Sequence, residues 1–365
     1  MSVFSDFIND IKNAFSSNRV LGIDIGTVSV KLIEVSRTRG ALAVSSYGIL
    51  ETKDYLRRAN AALQTGSLKI SERDIVPLLK TIVRESGVKT NRVVASLPSF
   101  GAFFAPIDMP IMSSEDTAKA VSFQARQYIP LEPGNVTVDW VKIGEFENDQ
   151  HEPVQRILIT GIPNNLIARY RSIFHAAGLK LVALEIETSS LARAFERDIA
   201  TPKLIIDIGG ESSAATVVHK GIPHELGQTD HGGLTLTQAI SRSLGISTVR
   251  AEDLKCRRGL SKSGNEYELS TSLYPFLDVI IQEAQHVRDT YEKKSGMKIQ
   301  SLSIVGGGAN LVGIEEYIKN QLNLTTIVPA ILNRFAYSPE LEPVLQYLNR
   351  ELAVAAGLAL RFFAQ

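Results

Sequence analysis

The chain contains very little cysteine and no excess of charge of either sign. Cys256 is the single cysteine among 365 residues, which excludes an intrachain disulfide and a zinc site built from several cysteines. Lysine plus arginine and aspartate plus glutamate each total 39, so no net positive field favours nucleic acid. We therefore expect a protein of a reducing compartment that has no nucleic-acid partner.

Long apolar segments and several common motifs are also missing. No apolar run approaches the roughly 18 to 20 residues that span a bilayer. The first residues include Asp6, Asp10 and Lys12, which a signal peptide would not carry. The G-x-G-x-x-G and Walker A patterns are absent, which argues against the Rossmann and P-loop folds. The six histidines lack metal-ligand spacing, and no Ser–His–Asp set is evident. These absences predict a cytoplasmic protein with another kind of site.

What the chain does contain is an ordinary globular composition and a motif that occurs twice. Apolar residues make up 44% and charged residues 21%, and the length allows two domains. The motif, at residues 20–31 and 202–218, is a buried strand, an Asp, a glycine turn with hydroxyls, and a second strand. Because glycine has no Cβ, such a turn lets backbone N–H and hydroxyl groups approach an anion. The pair predicts two half-molecules that face one phosphate chain and its metal ion.

Asp24 and Asp207 end the first strands of the two hairpins in corresponding places. Mg²⁺ is commonly held by one or two carboxylates together with phosphate oxygens and water, so the matched pair predicts a metal site. The alternative is that each Asp only stabilises its own turn. The candidate phosphate contacts are the glycines and hydroxyls of the turns, Gly26, Thr27, Ser29, Gly209, Gly210, Ser212 and Ser213.

Three further features extend this candidate site. Lys31 lies on the same strand face as Ser29 and offers a point charge for a phosphate, unless it is only an exposed strand lysine. The glycines 306–308 follow a buried strand and precede a helix, which favours anions or stacked bases, although such a triplet is also a common turn. Glu185 and Glu187 precede a helix of small residues. A carboxylate there could orient the attacking water, or the two could be a solvated pair.

The periodicity of apolar residues predicts the remaining elements. Residues 2–17 have helical spacing and form a short amphipathic head. Residues 92–182 are predicted to be a compact insertion of mixed α and β structure. A long helix is predicted over residues 274–294, and an Ala/Gly/Leu-rich helix over residues 352–363 closes the chain.

The order of these elements resembles the actin-like ATPase superfamily. Within it, the chain is most similar to the type IV pilus assembly protein (PilM) family, which is related to the cell-division protein FtsA. The segments that carry the resemblance are residues 21–31, 206–213 and 304–310, together with the insertion. The resemblance implies an α/β fold in which two RNase H-like domains surround a nucleotide cleft and an FtsA/PilM-type subdomain, 1C, is inserted.

The resemblance also assigns roles to residues and limits to domains. It implies that Gly26, Thr27, Val28, Ser29 and Lys31 form the first phosphate loop and that Gly209, Gly210, Glu211, Ser212 and Ser213 form the second. Asp24 and Asp207 would face Mg²⁺, and Glu187 would be catalytic. Glu252, Lys255, Gly306, Gly307, Gly308 and Asn310 would contact the adenosine. The implied domains are a head at 1–18, subdomain 1A at 19–91 with 182–201 and 346–365, 1C at 92–181, 2A at 202–245 and 299–345, and 2B at 246–298.

The function implied by the resemblance is a cytoplasmic ATP-binding scaffold at the inner face of the inner membrane. Its partner would be the cytoplasmic N-terminal tail of a PilN-like single-pass membrane protein, held in a groove between 1A and 1C, with Mg²⁺ and ATP or ADP between the domains. Other platform or motor components could bind, and membrane contact would be indirect. An FtsA- or MreB-like filament, and hence a homo-oligomer, is the alternative, and a small-molecule phosphotransferase is a third possibility.

Overall fold

Among the residues that the structure describes, two five-stranded β-sheets are built to the same plan. The computed structural model describes residues 18–38, 40–52, 72–147, 150–196, 201–260 and 267–364. The first sheet has the order β3 (Ala41–Glu51), β2 (Ser29–Thr38), β1 (Arg19–Ile25), β4 (Arg92–Leu97) and β8 (Lys180–Ile186). The second has the order β11 (Ile222–Thr229), β10 (Ser213–His219), β9 (Lys203–Ile208), β12 (Ser301–Val305) and β13 (Thr325–Thr326). In each sheet the first three strands are antiparallel, and the last two join them in parallel.

The third sheet belongs to the segment between β4 and β8. Its antiparallel strands have the order β5 (Phe103–Pro110), β7 (Pro153–Pro163) and β6 (Val136–Glu147). The α-helices are α1 (Glu72–Glu85), α2 (Ser114–Tyr128), α3 (Asn164–Ala176), α4 (Glu187–Ala194), α5 (Gly233–Leu244), α6 (Thr248–Arg258), α7 (Tyr267–Ser295), α8 (Ile314–Leu322), α9 (Leu345–Glu351) and α10 (Ala353–Phe363). Short 3₁₀ helices lie at Ser99–Gly101, Pro133–Asn135, Gly307–Asn310, Ile331–Arg334 and Pro339–Val344.

A layer of two helices, α4 and α10, lies between the two five-stranded sheets. One continuous apolar core contains side chains of both helices together with Val20 of the first sheet and Ile205 of the second. The first sheet buries its other face against α1 and α3, and the second buries its other face against α5, α6, α7 and α8. The shared core therefore joins the two halves of the molecule along one side.

Two glycines allow α10 to lie close against its neighbours. A Cβ on Gly22 of β1 would overlap the carbonyl oxygen of Ala355 and lie 3.0 Å from its carbonyl carbon. A Cβ on Gly357 would lie 2.5 Å from Oγ of Ser190 and 2.7 Å from that residue's carbonyl carbon. The Ser190 hydroxyl donates a hydrogen bond to the Val354 carbonyl at 2.6 Å. Backbones this close leave no room for a side chain at either position.

Several predicted elements differ from those observed. The long helix α7 begins at Tyr267, before Pro275, and not at residue 274. Residues 345–351, for which no helix is predicted, form α9, which continues almost directly into α10. The amphipathic head at 2–17 lies outside the described residues. The domain limits given above stay a prediction.

Candidate functional site

The turns that follow β1 and β9 have the same local structure. The Gly26 N–H donates to the carbonyl of Ser29, and the Gly209 N–H donates to the carbonyl of Ser212, both at 3.0 Å. A Cβ on Gly209 would lie 2.8 Å from that same Ser212 oxygen, so the tight turn requires a glycine. The repeated sequence motif therefore folds into a repeated structure.

Strand register places Asp24 and Asp207 at equivalent positions. Asp24 lies opposite Lys31 in the first hairpin, and Asp207 lies opposite Ala214 in the second. The residue opposite the aspartate is thus a lysine in the first half of the molecule and an alanine in the second. Lys31 is shared between the two halves, because Glu351 and both aspartates raise the pKa of its ammonium.

The two turns contact each other across the interface between the halves. A Cβ on Gly210 would overlap Cγ2 of Val28 and lie 3.2 Å from Oγ1 of Thr27. Gly210 therefore permits the second turn to pack directly against the first. The two turns close one edge of a cleft whose walls come from both sheets.

The cleft is a cavity of about 420 Å³ that collects most of the predicted site residues. Those that line it are Asp24, Gly26, Thr27, Val28, Ser29, Lys31, Glu187, Asp207, Gly209, Gly210, Ser212, Glu252, Lys255, Gly306, Gly307, Gly308 and Asn310. Its size falls within the range of small-ligand pockets, roughly 300 to 1,000 Å³.

Three candidates from the sequence, Glu185, Glu211 and Ser213, do not line the cleft. Ser213 begins β10 and is buried, and its hydroxyl donates to the carbonyl of His231 at 2.6 Å. Side chains alternate along a strand, and Ser212 and Ala214 on either side of Ser213 do line the cleft. The backbone of this turn stays a predicted ligand contact, while the Ser213 hydroxyl stabilises the turn.

Buried carboxylates surround Lys31 at the base of the cleft. Its Nζ lies 3.1 Å from Oε2 of Glu351, and Asp24 accepts a hydrogen bond from Oγ of Ser96 at 2.7 Å. Burial alone would lower the pKa of Lys31, but Glu351, Asp24 and Asp207 together raise it. The ammonium therefore stays charged. Lys31 is partly buried and paired, so the alternative of an exposed strand lysine is wrong.

Asp207 is the aspartate whose ionisation the surroundings oppose. Burial, and then the charges of Asp24 and Glu351, raise its pKa to about 6, although the Lys31 ammonium lowers it. A cation placed between Asp24 and Asp207 would favour the ionised form of both. The carboxylate pair is thus suited to share a positive charge.

Glu187 begins α4 and lies on the cleft wall. Burial first, and then the carboxylates of Asp24 and Asp207, raise its pKa well above the ordinary value. Its Oε2 accepts from the Ser99 N–H at 3.4 Å, and Lys31 also favours the ionised form. Glu185, the other acid of the predicted pair, is instead buried in an ion pair with Arg193 and Arg361. The solvated-pair alternative is therefore wrong for Glu185.

The glycine triplet follows β12 and approaches the second turn closely. Gly306 has φ +82°, and a Cβ there would overlap Oδ1 of Asp207 and lie 2.6 Å from the carbonyl oxygen of Ile208. Its N–H donates to the carbonyl of Arg350 at 3.0 Å. Both the left-handed conformation and the lack of space require glycine at this position. The loop is thereby held beside Asp207.

Glu252 and Lys255 lie on α6 and contact each other. Lys255 Nζ lies 2.8 Å from Oε2 of Glu252 and donates to Oγ1 of Thr237 and the carbonyl of Gly233, both at 2.9 Å. Burial would raise the pKa of Glu252, but Lys255 and the hydroxyl of Thr237 lower it below its ordinary value. Ser247 caps α6, since its side chain accepts from the Arg250 N–H. The pair forms a polar wall in the second half of the molecule.

The sequence patterns do not identify the part of the site that the end of the chain contributes. Tyr347, Arg350 and Glu351 of α9 line the cleft, as does Phe100 from the 3₁₀ helix after β4. The signal that could have indicated α9 is the helical spacing of Leu345, Leu348 and Leu352 before the apolar closing helix. Its partners, however, lie far away in the sequence, so no local pattern predicts the contact with Lys31.

The described ranges contain neither a metal-binding cluster of side chains nor a membrane-spanning helix. No group of three or more His, Cys, Asp or Glu side chains in those ranges could hold a metal ion. The same ranges include no helix that is both long and apolar enough to cross a membrane. A metal ion here would rely on Asp24 and Asp207 with other oxygens, which is the coordination that Mg²⁺ accepts.

The fold is that of the actin-like ATPases, as comparison with solved structures establishes. The structure described as the PilM-PilN type IV pilus biogenesis complex matches with a TM-score of 0.78 at 23% identity, covering 94% of this chain and 98% of that one. MreB5 of Spiroplasma citri bound to ADP matches with a TM-score of 0.52 at 15% identity, covering 93% and 94%.

The chain belongs to the family of the type IV pilus assembly protein PilM, whose sequence profile matches residues 22–363. The cell division protein FtsA of Enterococcus faecalis is 22% identical over an alignment of 383 residues, which covers 89% of this chain and 84% of FtsA. The resemblance found in the sequence is confirmed. The chain is a pilus assembly protein with an actin-like fold.

Proposed function

We propose that this pilus assembly protein binds ATP or ADP with Mg²⁺ in the cleft and thereby holds its two halves in one relative orientation. The observation that carries the proposal is the pair of matching glycine turns, one from each half, on the wall of a single cavity. A ligand that contacts both turns at once would hold the two halves in a fixed relative orientation. The MreB5 structure of the same fold is bound to ADP, which supports a nucleotide as the ligand.

The residues present fit such a ligand. The turns at 26–29 and 209–212 bring backbone to the wall of the cleft, and Lys31 supplies a positive charge for a phosphate. Asp24 and Asp207 would hold Mg²⁺, which neutralises phosphate charge when bound. Glu252, Lys255 and the loop at 306–310 would contact the adenosine.

Binding is the primary role that we propose, with at most slow hydrolysis. Glu187 is the residue that would orient or deprotonate the attacking water. A scaffold requires only that the nucleotide remain bound.

Asp207→Asn tests the metal assignment. We expect the variant to bind Mg·ATP at least about tenfold more weakly, because the amide keeps the size of the side chain but removes a metal ligand's charge. Affinity for ATP in the presence of a chelator should not fall, since no metal ion is then bound and one negative charge beside Lys31 is gone. Calorimetric titration of both forms measures this difference.

Asp289→Asn, on the exposed face of α7, is the matched control. It removes the same charge from the same half of the molecule and should bind Mg·ATP like the wild type. Undiminished affinity of Asp207→Asn for Mg·ATP would refute the metal role of Asp207.

We propose further that the chain holds the cytoplasmic tail of a PilN-like inner-membrane protein in the groove beside the inserted sheet, at the inner face of the membrane. The support is the family membership and the similarity to a PilM-PilN complex. The inserted sheet also contacts the second half, since β6 lies against β11. Arg156 of β7 lies close enough to Glu225 of β11 for that carboxylate to raise its pKa, after the larger effect of Asp108. A change in the relative orientation of the two halves can therefore alter the position of the inserted sheet.

Nucleotide should consequently strengthen the binding of the tail. We expect a synthetic peptide with the tail sequence to bind at least about fivefold more tightly in the presence of Mg·ATP. The peptide should raise the affinity of the protein for Mg·ATP by the same factor. Calorimetric titration in both orders measures this, with a scrambled peptide as the control. Equal peptide affinity with and without Mg·ATP would exclude the coupling.

A filament is the second candidate function, and the similarity to FtsA favours it. Sedimentation of the protein with Mg·ATP and lipid vesicles separates the two functions. A pelleted polymer would indicate a filament, whereas a protein that stays in the supernatant and binds the tail peptide one-to-one would indicate the adaptor.

A further inference from the structure

Glu351 is a buried carboxylate that the proposed function leaves without a role. It is the last residue of α9, and 8% of its surface is exposed. Its Oε2 lies 3.1 Å from Nζ of Lys31, and its Oε1 accepts from Nδ2 of Asn310 at 2.9 Å. A Cβ on Gly307 would lie 3.3 Å from the same Oε1. The carboxylate therefore bridges the first hairpin and the glycine triplet.

Both side chains that Glu351 binds are residues that the proposed function assigns to the nucleotide. Lys31 would pair with a phosphate, and Asn310 belongs to the loop that would contact the adenosine. A carboxylate and a phosphate are both oxyanions that accept from ammonium and amide donors. Within the described cleft, Glu351 thus makes contacts of the kind that a bound nucleotide would make.

The neighbouring residue keeps Glu351 at this position. Nη1 of Arg350 donates to the carbonyl of Ala309 at 2.8 Å, and Nη2 of Arg350 pairs with Glu315. The carbonyl of Arg350 accepts from the N–H of Gly306. These contacts attach the end of α9 to both ends of the glycine loop and thereby hold the backbone of Glu351 beside the cleft.

Electrostatics make the position of Glu351 unfavourable for an anionic ligand. Asp24, Asp207 and Glu351 all act on the single ammonium of Lys31. A triphosphate that enters the cleft must share or take this cation, and the uncompensated carboxylate then repels it. Removal of one of the three negative charges leaves more of the positive potential of Lys31 for a phosphate.

We propose that Glu351 is an internal competitor of the nucleotide: its carboxylate holds Lys31 and Asn310 until a nucleotide displaces it. The proposal rests on the proposed function, because it concerns regulation of the same site. It makes nucleotide binding weaker and more readily reversible than the cleft would otherwise allow. It also links nucleotide binding to the attachment of α9, which leads directly into the helix shared by both halves.

Glu351→Gln tests the proposal. The glutamine oxygen can still accept from Asn310, but the negative charge beside Lys31 is gone, so we expect Mg·ATP to bind at least about tenfold more tightly than to the wild type. Glu51→Gln is the matched control, because Glu51 is an exposed acid at the edge of the same cleft. It should change the affinity by less than about threefold. Calorimetric titration of the three proteins with Mg·ATP gives both values.

Two further variants make the result specific. Glu351→Asp shortens the side chain by one methylene and moves its carboxylate away from Lys31, so it should also raise the affinity for Mg·ATP. This variant keeps the proposal testable if Glu351→Gln folds poorly. The tight binding of Glu351→Gln should depend on Lys31, so the double variant Lys31→Met/Glu351→Gln should bind Mg·ATP far more weakly than Glu351→Gln alone. Equal affinity of these two proteins would overturn the proposal, because Lys31 would then not be the group for which Glu351 competes.

The remaining outcomes separate this proposal from the one on which it rests. If the wild type binds Mg·ATP and Glu351→Gln binds it equally or more weakly, the competition is disproved and nucleotide binding stands. If Glu51→Gln tightens Mg·ATP as much as Glu351→Gln does, the effect is one of general charge and the proposal fails. If neither the wild type nor Glu351→Gln binds Mg·ATP, the proposed function fails, and this inference fails with it.

Discussion

Lys31→Met is expected to lower the affinity for Mg·ATP by at least about 100-fold, which corresponds to about 2.7 kcal/mol. The substitution keeps an apolar chain of similar length but removes the ammonium that Asp24, Asp207 and Glu351 share. A phosphate then meets three carboxylates with no compensating cation in their midst. The affinity is measured by calorimetric titration with Mg·ATP.

The same variant should also lose folding stability, because buried carboxylates are left unpaired. We expect its free energy of unfolding at pH 8 to fall by about 3 kcal/mol. The pKa of Asp207, already raised to about 6, rises further once Lys31 no longer lowers it. An Asp whose pKa is higher in the folded state costs stability as the pH rises through that value. The loss should therefore be smaller at pH 5.5 than at pH 8.

Two controls accompany Lys31→Met in urea denaturation at both pH values. Lys31→Arg keeps the positive charge and should retain most of the stability. Lys319→Met removes an exposed lysine from α8 and should change the stability by less than about 0.5 kcal/mol. An equal loss at pH 5.5 and pH 8 for Lys31→Met would contradict the explanation through Asp207.

Gly357→Ala is expected to destabilise the protein by about 3 kcal/mol, although helix propensity alone predicts a gain of about 1 kcal/mol. The new methyl group would lie 2.5 Å from Oγ of Ser190 and overlap the carbonyl oxygen of the same residue. To make room, α10 must move away from α4. Because these helices share one core with both sheets, the shift disturbs packing on both sides. Urea denaturation measures the loss.

Gly144→Ala is the matched control for Gly357→Ala, since a Cβ on Gly144 has nothing within 4 Å. It should leave the stability unchanged or raise it slightly, because alanine loses less backbone entropy on folding. A stability of Gly357→Ala equal to that of the wild type would mean that α10 does not lie against α4 as closely as described.

The hairpin turns could be predicted from the sequence because they are local structures. The glycines, the hydroxyls and the aspartate of each turn lie within a few residues, so a short pattern contains the whole geometry. The strands and helices between β4 and β8 could likewise be predicted, since the strands alternate and the helices carry capping residues such as Ser113. The predicted insertion at 92–182 also included β4 (Arg92–Leu97), which pairs with β1 in the first sheet. Ser213 was assigned to the ligand because a pattern of residue types does not specify which side of a strand each side chain occupies.

The sequence by itself determined the two glycine turns, because strand periodicity and turn chemistry depend on neighbouring residues, and its resemblance to a known family implied the actin-like fold. Only the tertiary structure decided that Glu351 forms an ion pair with Lys31 and that Glu185 forms one with Arg193. Both contacts join residues from different elements, and the distance between such residues depends on how helices pack against sheets. The interaction energy and the pKa of a charged side chain depend on its burial and on the charges around it. Both are set by the tertiary structure.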